Sequence, residues 1–243
     1  MDFLKHHYEL PSALPTLPMP DEPSADFTQL KDFLGDAVKV SSAATLGGRI
    51  SVIETFDHND FLIADMILSG RDEIRQLPLT VNAFTIAKKR YRVILINRAP
   101  YSNVPASRMG LNDDEWLEKS RVIRLHHECA HYETLRIFGG MKNHPLDEIL
   151  ADAAGQLAAF GDFRADRQRI FFGLKGDQCD GRLSFHCKQL TTDEQREVYK
   201  AVDEALDLLE APINAAPDHF ARLKLIACRS IEDVLGGRHQ RAD

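Results

Sequence analysis

The chain has 243 residues, 44% of them hydrophobic, which is enough for one large domain or two small ones with a proper core. Its net charge of −7 excludes a general nucleic-acid binder, whose footprint is basic. No apolar run approaches the length of about 18 residues that a membrane-spanning helix needs, so a membrane role is not expected. The first residues, MDFLKHHYELPSALP, lack the basic start and long apolar run of a signal peptide. A cytoplasmic protein is therefore expected. The four cysteines, Cys129, Cys179, Cys187 and Cys228, form no C-x-x-C and read as free thiols of a reducing compartment. Cys179 and Cys187 are the pair whose spacing would suit a bridge across a hairpin.

In chain order, residues 1–25 carry Pro11, Pro15, Pro18, Pro20 and Pro23, which rules out a helix over most of the stretch and predicts an extended arm. The remainder, 26–243, is expected to be a single domain. Asp26 to Leu34 has helical spacing and Gly35 as a stop. Ala37 to Thr45 and Arg49 to Phe56 read as two strands around a Gly47-Gly48 turn. Asp60 to Leu68 suits a helix ending at Gly70. Leu79 to Ile86 and Arg90 to Asn97 read as a second hairpin turning at Ala87-Lys88-Lys89. The run YRVILIN is continuous enough for a strand buried on both faces. Arg98 to Gly110 is a loop in which Tyr101, Asn103 and Arg108 are placed to line a cleft.

Asn112 is a candidate cap for a helix beginning Asp113-Asp114-Glu115 and stopping at Gly139-Gly140. Its secure part is Val122 to Phe138, with a break expected near Ser120. Pro145, Asp147 and Glu148 suit the first turn of a second helix. The connection is about seven residues, which makes the two helices neighbours. Ala165 to Phe172 continues with helical spacing, Gly173 to Gly181 is a loop, and Arg182 to Leu190 alternates as a short strand. Thr192 to Leu209 and Pro217 to Leu235 are amphipathic helices, the second closed by Gly236-Gly237, and the tail GGRHQRAD follows.

The chemistry concentrates in Arg121 to Gly155. His127-Glu128-Cys129-Ala130-His131 is an H-E-x-x-H. Residues i and i+4 stack on one face of a helix, so His127 and His131 present two imidazoles to one point, as a tetrahedral Zn2+ requires. Glu128 lies about 100° further round. It suits a general base acting on a water in the open coordination position. Glu148 on the following helix is the third ligand, and Asp152, one turn on, suits a hydrogen bond to a ligand histidine. Cys129 should point away from the metal. His144, between the two helices, suits a loop or capping role, with a fourth ligand or a pocket residue as the alternative.

These residues resemble the gluzincin zinc metallopeptidases, which carry H-E-x-x-H on one helix and E-x-x-x-D on the next. Here His127-Glu128-x-x-His131 and Glu148-x-x-x-Asp152 match, over about 35 of the 243 residues. The resemblance implies Zn2+, hydrolysis of peptide or protein substrates, and Glu128 as base. It also implies a zincin-like fold, with a sheet edge before the active-site helix on which substrate pairs as an added strand. Such an enzyme needs a donor for the oxyanion. His186 is the first candidate and Arg182 the second.

The expected fold is α+β: a small, mostly antiparallel sheet, then the helix pair, then a C-terminal helical part. Two other readings stand beside the peptidase. One is a non-catalytic metal-binding module on a peptidase-like fold, with a regulatory protein partner. The other is a di-iron carboxylate oxidoreductase, which needs a second E-x-x-H that the sequence does not contain.

Overall fold

The computed structural model describes residues 2–11, 24–77, 79–87, 92–140 and 144–236. Most of the proline-rich arm, the turn at Lys88-Lys89, Gly237 and the tail after it lie outside the described residues. The fold is α+β, and the chain forms two compact units, Pro15–Ile137 and Met1–Leu14 with Phe138–Asp243.

The first unit is built on a four-stranded sheet. In chain order it contains α1 (Ser24–Leu34), β1 (Val38–Thr45), β2 (Gly48–Thr55), α2 (His58–Ser69), β3 (Ala83–Ala87), β4 (Arg92–Asn97), α3 (Ala106–Met109) and α4 (Asp113–Phe138). The strand order is β1-β2-β4-β3. Both expected hairpins are present as antiparallel pairs, β1 with β2 and β3 with β4. β2 and β4 run parallel, so the sheet is mixed. A parallel pair needs a crossover, and α2 lies in the connection between them. Asp57 caps α2 by accepting from the Asn59 and Asp60 N–H groups, and Gly70 ends it in the left-handed region.

Alternation along the strands fills both faces. Ile53, Val93, Leu95 and Ile86 pack with Leu30 of α1 and with Phe61, Ala64 and Leu68 of α2. On the other face Ile50, Val52, Ile94 and Ile96 pack against Cys129 and Tyr132 of α4. β4 is buried on both sides, which explains its unbroken apolar run. The tip of the first hairpin is fastened to α4. Leu46 N–H donates to Glu133 Oε1 at 2.9 Å, and a Cβ on Gly47 would stand 2.9 Å from Arg136 Cβ.

The second unit is helical, with α5 (Pro145–Phe160), α6 (Ala165–Phe172), the short pair β5 (Leu174–Lys175) and β6 (Gln178–Cys179), α7 (Leu183–His186), α8 (Thr192–Ala215), α9 (His219–Ala227) and α10 (Ile231–Gly236). The single amphipathic helix expected from Pro217 is two helices, interrupted at Cys228–Ser230, where Ser230 Oγ takes over as a cap by accepting from Asp233 N–H. α8 runs past Pro212, and Asn214 brackets Phe163 through its N–H and C=O, each at 2.8 Å.

The N-terminal residues belong to this unit. Asp2–Lys5 form a 3-10 turn rather than an extended segment. Tyr8 explains why they pack: its ring stacks on Phe138 at 4.9 Å, its hydroxyl donates to Asp147 at 3.0 Å, and its N–H donates to Ala227 C=O at 2.7 Å. All four cysteines are free, so Cys179 and Cys187 form no bridge.

Candidate metal centre

α4 is one continuous helix, without the expected break near Ser120. Asn112 caps it by accepting from Glu115 N–H at 2.9 Å, and its first turn carries three acidic residues that favour the positive dipole end. Ser120 does not interrupt it because its hydroxyl is turned to use: Ser120 Oγ accepts the Tyr101 N–H at 2.9 Å. Gly139, at φ 72°, follows the last turn.

Cys129 and Tyr132 face the sheet, as the angular position of Cys129 predicts. Burial pushes the Cys129 thiol up to about 12, and its packing is with Ile50, Val52, Ile94 and Ile96 of the sheet. His127 and His131 are buried, and their Nε2 atoms stand 3.0 Å apart with the rings nearly perpendicular. Two side chains a turn apart thus aim the same nitrogen at one point. Glu128 is also buried, and its Oε2 accepts from Thr85 Oγ1 at 3.2 Å. Thr85 lies on β3, an edge strand of this sheet among the described residues. The carboxylate beside the histidines is therefore tied to the sheet edge.

The far nitrogen of His127 meets a tyrosine. Nδ1 lies 2.9 Å from Tyr101 Oη, and both residues are buried. Tyr101 is a cleft-lining loop residue by its sequence alone, and nothing local in the chain points to this contact, 26 residues away. The same holds for the Thr85 contact, since no local pattern links residues so far apart in the chain.

α5 opens as predicted, with Pro145 in its first turn. His144 is its cap: Leu146 N–H donates to His144 Nδ1 at 3.2 Å, and His144 Nε2–H donates to Phe3 C=O at 2.7 Å. Glu148 and Asp152 follow one turn apart, both buried, Asp152 completely. Arg182 reaches both carboxylates. Its Nη1 lies 3.4 Å from Glu148 Oε2, and its Nη2 donates to Asp152 Oδ2. Gln168 Nε2 donates to the same Asp152 oxygen. His186 Nε2 is 3.7 Å from Glu148 Oε2. The two candidate oxyanion donors are thus gathered around Glu148.

They are not on a strand, as the alternation of Arg182 to Leu190 predicted, but at α7. Ser184 makes the difference, since both its N–H and its hydroxyl donate to Gly181 C=O and tighten the chain into a turn. Leu183 and Cys187, four apart, are then both fully buried. The Cys187 thiol is pushed up to about 12 by that burial.

Residues 84–218, more than half of the chain, match the model of a family of unknown function, DUF7005. The chain belongs to that family. The matched DUF7005 segment begins on β3 beside Thr85 and contains Tyr101, His127, Glu128, His131, Glu148, Asp152, Arg182 and His186. No curated protein and no solved structure matches the chain. No helix among the described residues is long and apolar enough to cross a membrane.

Proposed function

We propose that this chain is a zinc-dependent peptide hydrolase in which His127, His131 and Glu148 hold the metal and Glu128 is the general base. One observation carries the reading. A ligand atom from each of His127, His131 and Glu148 lies within 4.8 Å of the other two, and all three residues are buried. Two imidazoles and a carboxylate, with a fourth position left for water, are the donor set of a catalytic zinc site. The nitrogen spacing fits as well. Zn–N bonds of about 2.0–2.1 Å in a regular tetrahedron put two nitrogens about 3.3 Å apart, and the two Nε2 atoms stand at 3.0 Å.

Bound zinc supplies Lewis-acid polarisation of the scissile carbonyl and a lowered pKa for water. The chain's own residues do the rest. Glu128 removes a proton from the attacking water and delivers it to the amine nitrogen as the C–N bond breaks. Thr85 steadies the carboxylate for both transfers. The β3 edge offers backbone groups on which an extended peptide adds as a strand, next to that base. Arg182 and His186 bring N–H donors to the vicinity of Glu148, where the oxyanion needs them. The four free thiols fit a reducing, cytoplasmic setting.

The test is turnover of a peptide mixture by the zinc-loaded chain, with new termini read by mass spectrometry. Cleavage that a chelator stops and zinc restores is expected. Absence of cleavage from a protein shown to carry zinc would refute the enzyme reading and leave a metal-binding module.

A further inference from the structure

We propose that Tyr101 is the positioning residue of His127, fixing the ring so that Nε2 and not Nδ1 is offered to the metal. The inference rests on the reading of His127 as a ligand. A neutral imidazole carries one N–H, and a ligating nitrogen must be the bare one. The Nε2 atoms of His127 and His131 converge at 3.0 Å, so Nε2 is the ligating side. The proton then sits on His127 Nδ1 and is donated to Tyr101 Oη at 2.9 Å. A phenol accepts this proton as an uncharged group, where a carboxylate would add a negative charge to the site.

The rest of the loop is organised to hold that hydroxyl. Ser120, Arg124, His127 and His131 are spaced by four, three and four, one stripe along α4, and all four are buried. Ser120 Oγ accepts the Tyr101 N–H. Arg124 lies over the Tyr101 ring at 5.6 Å and donates to the carbonyls of Asn97, Ala99 and Pro100 at 2.9–3.1 Å. Beyond the tyrosine, Trp116 Nε1–H donates to Val104 C=O at 2.7 Å. Between these anchors Ser102 and Asn103 take left-handed φ values of 51° and 56°. Side-chain-bearing residues adopt that region only where the surroundings over-determine it. The same helix stripe therefore supplies the two histidines and the clamp that brings Tyr101 to one of them.

The experiment compares the full-length wild type with Tyr101→Phe, both stripped of metal. Zinc affinity is measured by competition with a chromogenic chelator, cobalt(II) spectra are recorded on both proteins, and metal-free melting curves check the fold. The expected result is zinc binding weakened about 10- to 100-fold in Tyr101→Phe, with an altered cobalt ligand-field spectrum and a cooperative metal-free melt. A purely structural tyrosine would not alter the cobalt spectrum of the folded variant. Equal zinc affinity with an unchanged cobalt spectrum would overturn the inference while leaving the zinc site standing. A wild type that binds neither metal would instead bring down the underlying reading. Should Tyr101→Phe fail to fold, Ser120→Ala asks the same question by freeing the Tyr101 N–H. Several-fold weaker zinc binding then supports the inference, and unchanged binding overturns it.

Discussion

Glu128→Gln separates base catalysis from everything else that Glu128 does. The substitution preserves side-chain shape, and the glutamine oxygen can still accept the hydroxyl of Thr85, now 3.2 Å from Glu128 Oε2. None of the three zinc ligands is touched, so the fold and the metal should survive. What disappears is a carboxylate able to take a proton from water. A positioned general base is worth about 10²- to 10⁴-fold in rate, which at about 1.36 kcal/mol per decade is roughly 3 to 5 kcal/mol of barrier. The assay is the initial rate on the best-cleaved peptide of a mixture, with zinc content measured on the same samples. Turnover should fall by at least about a hundredfold at equal zinc content. A variant that carries zinc and keeps a rate within a fewfold of wild type would show that Glu128 is not the base.

Other consequences follow from the scaffold. Gly47→Ala places a methyl group 2.9 Å from Arg136 Cβ and 3.0 Å from its Cγ, and should cost about 1–3 kcal/mol in urea unfolding as the hairpin tip is forced off α4. An unchanged midpoint would contradict the close approach. Asp57 and Asp233 have carboxyl groups held below their usual range, Asp57 by the Asp60 N–H and Asp233 by the Ser230 hydroxyl. A lowered folded-state pKa stabilises above the unfolded value and is lost as pH falls through the folded one. Their contribution should therefore be complete at neutral pH and begin to fall away below about pH 4, and Asp57→Ala should flatten that acid slope in pH-dependent unfolding. Cys187, fully buried with its thiol pushed up to about 12, should resist alkylation at pH 8 in the native protein while partly exposed Cys228 is labelled. Equal labelling, read by mass spectrometry, would contradict the packing of α7.

The sequence shows the site through short-range geometry. H-E-x-x-H lies on one helix, so its spacing alone aims two imidazoles together, and capping residues mark where α4 and α5 begin. The first hairpin and β4 are equally legible, because the Gly47-Gly48 turn separates β1 from β2 and the unbroken apolar run of β4 follows from both of its faces being covered. What escaped were decisions taken by tertiary partners. Whether Ser120 breaks α4 depends on the Tyr101 N–H, nineteen residues away. Pro212 does not end α8, since Asn214 and Glu210 are held by the backbone of Phe163 and Ala165. The period-two look of Arg182 to Leu190 hid a second pattern, Leu183, Cys187 and Leu190, that fits a turn of helix better. The parallel pairing of β2 with β4 likewise depends on how α2 carries the chain back, which neither strand's own residues encode.

The central claim is that three side chains from two helices hold one zinc ion. Elemental analysis of wild type and Glu148→Ala, both purified without added zinc, tests it most directly. The account predicts about one zinc per chain in the wild type and little or none in the variant. Zinc retained in full by Glu148→Ala would put the third ligand elsewhere, and absence of metal from both would contradict the site itself.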